Sequence, residues 1–397
     1  MTDRQGRHFL QLPGPSPVPE RVVRAMSQPI IDHRGPEFAD LTRAVLEGSK
    51  AIFKTAGPVI IYPSSGTGAW EAALVNTLSP GDTVLMAETG HFSNTWRKLA
   101  ERLGVVVDCI PGDWRHPADP AAIEARLAED KARAYKAVLV VHNETSTGVV
   151  SDIAAVRKAI DAAGHPALLL VDSVSGLASA DLRHDEWGID VTVAGSQKGL
   201  MLPPGLGMVA VSQKALAASK ASGFRRSYWD WSEMVSFNAT GYFPYTPATG
   251  LLYGLKEAIA MLLEEGLEQV FARHQQLGAA ARATVRAWGL ETQCLDPAAH
   301  SPVLTAVVMP AGHDADALRG VILDRYNMSL GQGLTKLSGK VFRIGHLGEC
   351  NALTLVGALG GVEMGLAARA VPHRAGGVTA ALAELTGAIA EPKLSVA

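Results

Sequence analysis

Between residues 57 and 212 the chain alternates short apolar runs with amphipathic stretches. Seven runs are nearly continuous in apolar residues, as is typical of strands covered on both sheet faces. They are PVIIYP, DTVLMAE, GVVVDCI, AVLVVHN, ALLLVDS, DVTVAG and GMVAVS. Helical patterns lie among them: GAWEAALVNTL, SNTWRKLAERL, DPAAIEARLAED and DIAAVRKAIDAAG. This alternation predicts an α/β fold with a mostly parallel, doubly wound, seven-stranded sheet.

Two further features complete the predicted architecture. The segment between DVTVAG and GMVAVS is too short for a helical crossover, so we expect these two strands to be antiparallel. A long helical stretch over roughly 250–285 then leads to the strand VLTAVVMP, the helix DADALRGVILDRY, the strand KVFRIGHL and a closing helix. The Pro-rich start, LPGPSPVPE, cannot form a central strand and predicts an extended arm. We therefore expect an N-terminal arm (1–20), a large domain (21–265) and a smaller C-terminal α/β domain (266–397).

Composition narrows the class of protein. The chain is 47% apolar and 19% charged, with a formal net charge of −3, which gives no electrostatic footprint for nucleic acid. No run of about 18 apolar residues predicts a membrane span. The cysteines, Cys109, Cys294 and Cys350, are scattered, which favours a reducing compartment over a disulfide framework or a metal site. The start has no apolar segment like that of a signal peptide, so we expect a cytoplasmic protein.

Polar residues follow several of the predicted strands, where ligands of open parallel sheets bind. After VIIYP, the sequence SSGTG (64–68) opens a helix whose N–H groups favour an anion. An ordinary helix cap with turn glycines explains this stretch equally well. After AVLVV, the sequence HNETSTG (142–148) fits either a polar ligand or a turn rich in Asn, Ser and Thr.

Asp172 and Lys198 follow two successive predicted strands and are 26 positions apart. We expect one helix-and-strand unit between them, which places both at neighbouring sheet ends facing one crevice. A partly desolvated lysine has a lowered pKa and becomes a nucleophilic amine, as a Schiff base requires. Asp172 either caps a helix or faces a cation. An aspartate against a pyridinium nitrogen, with a lysine on the aldehyde, binds pyridoxal phosphate (PLP).

With these residues in place, the chain resembles the class V, fold-type I aminotransferases over nearly its whole length. The likeness rests on SSGTGAWEAALVNTLSPGD, HNETSTG, VDSVSG, DEWGIDVTVAGSQKGLMLPPG, YFPYTPAT and FRIGHLG. It is greatest to the serine–glyoxylate and alanine–glyoxylate aminotransferases. The resemblance implies PLP as cofactor, glyoxylate as amino acceptor and glycine as product. It also implies a homodimer with shared sites.

The resemblance also implies a role for individual residues. Lys198 corresponds to the Schiff-base lysine, Asp172 to the partner of the pyridine nitrogen, and Arg343 to the arginine that holds the substrate carboxylate. Phe92 stands where the alanine–glyoxylate branch stacks a tryptophan on the cofactor ring, although a core phenylalanine is the alternative. The remaining matches are Ser65, Gly66, Thr67 and Gln197 for the phosphate, Thr145 for the phenolic oxygen, and Thr246 for the phosphate of the neighbouring subunit.

The amino donor stays open at this point. VDSVSGLASADL differs from the VDTISSLGSIDY typical of serine–glyoxylate enzymes, and it lies beside the cofactor in the family. Arg225 and Arg226, in GFRRSYWDWSEM, offer a second cation for a dicarboxylic donor, although a solvated surface position is the commoner role of either one taken singly. We therefore expect a small polar L-amino acid, L-serine or L-aspartate, with alanine as the alternative.

The sequence disfavours three other functions. A PLP lyase of the desulfurase type needs a reactive cysteine on a mobile loop of small residues, and none of the three cysteines lies in one. A nicotinamide oxidoreductase is disfavoured because Glu71 replaces the third glycine of the dinucleotide fingerprint. A non-catalytic PLP-binding protein would have no need for both Lys198 and Arg343.

Overall fold

The computed structural model describes residues 6–387. In chain order the strands are β1 (Phe9–Gln11), β2 (Val59–Pro63), β3 (Thr83–Ala87), β4 (Val106–Ile110), β5 (Tyr135–Val141), β6 (Asn143–Glu144), β7 (Val149–Val150), β8 (Leu168–Asp172), β9 (Val191–Gly195), β10 (Leu206–Val211), β11 (Glu291–Thr292), β12 (Leu304–Val308), β13 (Met328–Gln332) and β14 (Val341–Gly345).

The helices, in the same order, are α1 (Glu20–Met26), α2 (Pro36–Phe53), α3 (Gly66–Thr77), α4 (His91–Arg102), α5 (Pro120–Glu129), α6 (Ile153–Ala162), α7 (Gln213–Ser219), α8 (Trp231–Thr240), α9 (Thr249–Glu265), α10 (Leu267–Trp288), α11 (Ala315–Tyr326), α12 (Ala352–Ala368) and α13 (Val378–Gly387). The four helical patterns among the predicted strands correspond to α3, α4, α5 and α6. No helix within residues 6–387 has the length and apolar character needed to cross a bilayer.

The large sheet has seven strands in the order β2-β10-β9-β8-β5-β3-β4. Strand β10 is antiparallel to both β2 and β9, and the other neighbours are parallel, which confirms the predicted sheet and its antiparallel pair. Strands β8 and β9 are buried along their whole length, since helices cover the sheet. Because both faces of these strands are covered, their residues are nearly all apolar in the sequence.

The link between β8 and β9 differs from the prediction. Residues 173–190 form successive turns and contain no helix, so the helix expected between Asp172 and Lys198 is wrong, while the strand expected there is β9. Local hydrogen bonds stabilise the turns, among them one from the N–H of Leu177 to the carbonyl of Ser173 (2.9 Å). Because β8 and β9 are nevertheless parallel neighbours, their carboxyl ends reach the same edge of the sheet.

A second sheet has the order β1-β13-β14-β12-β11. The N-terminal arm contributes β1, which pairs in parallel with β13 at the edge of this sheet, just before the prolines of the arm. The predicted helical stretch at 250–285 is two helices, α9 and α10. The chain breaks between them at Gly266, whose φ of 84° lies in the left-handed region that favours glycine.

The apolar core has two main parts. One cluster runs from Val22 to Val270 and surrounds the large sheet, and the other runs from Leu277 to Leu385 and packs on the second sheet. This division agrees with a large and a smaller unit, while the limits 20/21 and 265/266 stay a proposal.

Candidate active site

A cavity of about 130 Å³ lies at the carboxyl edge of the large sheet. Its lining residues are Ser65, Gly66, Thr67, Trp70, Phe92, Thr145, Asp172, Val174, Ser175, Gln197 and Lys198. Eight of them are residues that the sequence singles out for cofactor binding. Trp70, Val174 and Ser175 were missed by the sequence reasoning. Trp70 lies four positions after Gly66 on α3, and such spacing puts two residues on one helix face.

The N-terminus of α3 forms one wall of the cavity. The helix begins at Gly66 and is capped by Ser65, whose Oγ accepts a hydrogen bond from the N–H of Gly68 (3.4 Å). Backbone N–H groups in the first turn have no partner within a helix and attract an anion. The side-chain oxygen Oε1 of Gln197 is also buried, and no donor within residues 6–387 bonds it.

Asp172 is the last residue of β8 and is 4% exposed. One carboxylate oxygen, Oδ1, accepts a hydrogen bond from the N–H of Val174 (2.7 Å). Burial raises the pKa of Asp172 to about 7, and the negative charge of Glu144 acts in the same direction. The Val174 N–H and the charge of Lys198 oppose this rise in pKa. A carboxyl group in this position gains from a cationic partner in the cavity.

Lys198 follows β9 and is 8% exposed. Its Nζ donates a hydrogen bond to the carbonyl of Pro13 in the N-terminal arm (2.7 Å). Burial lowers the pKa of Lys198 to about 8, and the charge of Arg343 also lowers this pKa, against the effect of Asp172. An amine with such a pKa is unprotonated often enough near neutral pH to act as a nucleophile or a base.

A small hydrogen-bond network holds Thr145 at the cavity. Its Oγ1 donates to the Oγ of Ser175 (2.7 Å), and the Nδ2 of Asn143 donates to the same oxygen (2.7 Å). Ser175 donates in turn to the carbonyl of Asn143 (2.9 Å). Ser175 therefore fixes the position of the Thr145 hydroxyl, although it lies 30 positions away in the sequence.

Phe92 lies in the first turn of α4, and a buried carboxylate holds that turn in place. Glu144 accepts hydrogen bonds from the backbone N–H groups of Phe92 (3.2 Å) and Ser93 (3.1 Å). It also accepts one from the Oγ of Ser146 (2.6 Å). A carboxylate at a helix N-terminus is favoured by the helix dipole. Glu144 thus positions the aromatic ring that the sequence analysis assigned to cofactor stacking.

Arg343 lies on β14 and is buried, but it does not line the 130 Å³ cavity itself. Its Nε donates to the carbonyl of Gln332 (2.8 Å) and its Nη1 to the carbonyl of Thr145 (2.8 Å). Burial lowers the pKa of Arg343 to about 10, so the guanidinium stays charged at neutral pH. The second sheet thus brings a fixed positive charge to the side of the cavity where Thr145 lies.

Three further residues from the sequence analysis do not line the cavity of their own chain. Thr246 is exposed in the segment before α9, and Arg225 is exposed as well. Arg226 donates to the backbone carbonyls of Ser219 (2.7 Å) and Phe224 (3.3 Å) and pairs with Asp230 (3.2 Å). The Arg226 guanidinium therefore joins one surface segment to the end of α7 and supplies no cation to the cavity of its own chain.

The lining residues fit pyridoxal phosphate. The cavity combines a buried amine, a buried carboxyl group with a raised pKa and a helix N-terminus. These three groups match an aldehyde, a ring nitrogen and a phosphate, respectively.

The fold and the cavity are those of a fold-type I PLP enzyme. The family model for class V aminotransferases matches residues 8–341, and the chain belongs to this family. It is 52% identical to the serine–glyoxylate aminotransferase of Methylorubrum extorquens, over 92% of each chain. It is 44% identical to the L-aspartate–glyoxylate aminotransferase of Paracoccus denitrificans, over 94% of each. The crystal structure of ureidoglycine–glyoxylate aminotransferase from Bacillus subtilis superposes with a TM-score of 0.88 at 29% identity, covering 96% of this chain and 99% of that one.

Proposed function

We propose that this aminotransferase moves the amino group of a small polar L-amino acid, L-serine or L-aspartate, to glyoxylate. The products are glycine and the matching 2-oxo acid. The observation that carries the proposal is the buried pair of Lys198 and Asp172 on one cavity, with the charged Arg343 beside it. The names of the relatives at 52% and 44% identity support glyoxylate as acceptor and serine or aspartate as donor.

The lining residues would hold the cofactor in the following way. Lys198 would bond its aldehyde, Asp172 its ring nitrogen and Thr145 its phenolic oxygen, while Phe92 would cover its ring. The N-terminus of α3, with Ser65, Gly66 and Thr67, would receive its phosphate, with Gln197 nearby. When bound, pyridoxal phosphate supplies an electron sink for the bonds at the substrate Cα.

The residues of the chain then bind the substrate and carry the proton. Arg343 binds the substrate carboxylate, for which a planar fork of N–H donors is suited. The Lys198 amine would take the proton from the substrate Cα and deliver it to the carbon of the cofactor's aldehyde group, and its pKa of about 8 favours such a role near neutral pH. Burial of the cavity excludes water, which strengthens each of these electrostatic interactions.

Several observations separate this proposal from its rivals. No cysteine is among the described residues that line the cavity, and burial raises the pKa of Cys294 and of Cys350 to about 11. A thiol with such a pKa is a poor nucleophile at neutral pH, which disfavours a desulfurase-type lyase. An alanine–glyoxylate aminotransferase uses the same groups, so alanine remains the alternative donor.

The proposal includes a homodimer and a cytoplasmic location. In a homodimer the exposed Thr246 serves the phosphate of the partner subunit, which accounts for its distance from the cavity of its own chain. The scattered cysteines and the net charge of −3 support a reducing, aqueous compartment.

The test is a panel of amino donors with glyoxylate as acceptor. The purified enzyme with pyridoxal phosphate is assayed for glycine formation, and kcat/KM is compared for L-serine, L-aspartate, L-alanine and L-phenylalanine. We expect serine or aspartate to give the highest value and phenylalanine the lowest. Glycine formation that is fastest with alanine would assign the alternative donor. An absence of glycine with every donor would refute glyoxylate as acceptor.

A further inference from the structure

The N-terminal arm contacts the loop that carries Lys198 at several points. The carbonyl of Pro13 accepts the hydrogen bond of Lys198 Nζ (2.7 Å). Ser16 donates from its Oγ to the carbonyl of Lys198 (2.8 Å) and from its N–H to the carbonyl of Gln197 (3.0 Å). The arm therefore bonds both the side chain and the backbone of this lysine, across 185 positions of sequence.

Gly14 lies directly against the Lys198 side chain. A methyl group at the Cβ position of Gly14 would come within 2.3 Å of Cδ and 2.5 Å of Nζ of Lys198. Carbon atoms do not approach other heavy atoms so closely without a shift. The Lys198 side chain is the flexible partner, so its amine would be the group displaced. The Lys198 side chain therefore occupies space that is open only because Gly14 has no side chain.

The opposite side of the arm contacts the strands around Arg343. A Cβ added at Gly331 would lie 2.9 Å from Pro13 Cδ, and one added at Gly345 would lie 2.1 Å from the carbonyl oxygen of Leu12. Gln11 also donates from Nε2 to the carbonyl of Gly345 (2.9 Å). Because Gly345 is two positions from Arg343 on β14, the arm is packed between the arginine strand and the lysine loop.

We propose that residues Pro13–Ser16 of the arm position Lys198 for its reaction. The Pro13 carbonyl accepts one N–H of the amine whenever Nζ is not bonded to another group, and Gly14 leaves room for the side chain. The hydrogen bond of one N–H to the arm restricts the rotation of the amine. It thereby restricts the direction in which the lone pair of the same nitrogen points. These are positioning residues, and the proposal rests on the proposed role of Lys198.

The experiment measures the capture of the cofactor by the lysine instead of turnover. Cofactor-free protein is mixed with pyridoxal 5′-phosphate, and the rate at which the visible absorption appears is recorded. Borohydride reduction followed by peptide mapping then shows which lysine carries the label. Gly14→Ala is compared with Gly6→Ala, because both glycines have a positive φ (101° and 83°) but nothing lies within 4 Å of a Cβ at Gly6.

Gly14→Ala is expected to slow this capture by on the order of 10²-fold, since a displacement of about 1 Å at a reacting group costs that much. Gly6→Ala carries the same backbone strain and is expected to stay within about twofold of the wild type. Equal rates for the two variants would overturn the proposal. Circular dichroism shows whether Gly14→Ala is folded.

A second variant decides the question if Gly14→Ala does not fold. Ser16→Ala removes the hydrogen bond to the Lys198 carbonyl without adding atoms, and about a tenfold slower capture is expected. Ser219→Ala is its control, because it removes a similar bond to the carbonyl of Leu216 (3.0 Å) away from the cavity. If Ser16→Ala and Ser219→Ala capture the cofactor at the same rate, the proposed role of the arm is wrong, while the proposed role of Lys198 is unaffected. If borohydride labels a different lysine in the wild-type protein, the proposed role of Lys198 is wrong as well.

Discussion

Replacement of Asp172 by asparagine should change how the free energy of unfolding depends on pH, because Asp172 is buried. Burial raises the pKa of this carboxyl group from 3.8 to about 7 in the folded protein without cofactor. The folded state therefore holds a proton that the unfolded chain releases between these two pH values. Stability that is fully present below pH 3.8 is lost as the pH rises toward 7.

The size of this loss follows from the two pKa values. Relative to low pH, an ionising Asp172 lowers the free energy of unfolding by about 2 kcal/mol at pH 5 and about 4 kcal/mol at pH 7.5. Asparagine has no proton to release at either pH. The free energy of unfolding of the wild type should therefore fall by roughly 2–3 kcal/mol more than that of Asp172→Asn between pH 5 and pH 7.5.

Urea unfolding of both cofactor-free proteins at the two pH values measures this double difference, in which titrating groups that do not interact with Asp172 cancel. Parallel pH dependences for the two proteins would refute the reasoning. In the assay with cofactor, Asp172→Asn should lower kcat on the order of 10²-fold or more, because a neutral amide cannot keep the ring nitrogen protonated. Turnover near the wild-type rate would refute that role.

Three further substitutions test the other parts of the site. Lys198→Ala should bind pyridoxal phosphate without the visible Schiff-base absorption and without a borohydride label. Its circular dichroism spectrum should be unchanged. A label that remains on the variant would show that a different lysine forms the Schiff base. Arg343→Lys should raise KM for the amino donor by about tenfold or more, because an ammonium cannot form the planar fork; an unchanged KM would exclude carboxylate binding. Arg226→Ala should lower the free energy of unfolding by about 1–3 kcal/mol through its lost bonds to backbone carbonyls. It should change kcat/KM for serine and aspartate equally, and a loss confined to aspartate would contradict this.

The large sheet could be predicted because the features that determine it lie within short segments of the sequence. Strands covered on both faces are apolar throughout, and the short link before β10 permits only an antiparallel pairing. The convergence of Asp172 and Lys198 follows from the same regularity, since parallel strand ends share one edge. The helix expected between them is absent because residues 173–190 are rich in Ser, Asp and Gly, which bond locally and favour turns.

The remaining features depend on contacts between distant parts of the chain. Ser175 supports Thr145 over 30 positions, and Pro13 meets Lys198 over 185, so hydrophobic periodicity contains no information on either contact. Gly266 is a local indication that α9 ends there. The sequence predicts one continuous helical stretch because helical apolar spacing continues on both sides of this glycine. Arg226 shows the reverse case: its charge suggests a ligand contact, but its partners in the structure are the carboxylate of Asp230 and nearby backbone carbonyls.

The order of the strands has a consequence for synthesis of the protein on the ribosome. In the large sheet β2 pairs only with β10, so the apolar segment Val59–Pro63 must wait for Leu206–Val211 to emerge. At about 5–20 residues per second this interval lasts roughly 7–30 s, during which the segment is a target for chaperones and for aggregation. Strand β1 waits longer still, because its partner β13 ends at Gln332. Strand β1 can therefore take its place in the second sheet only after residue 332 has been synthesised.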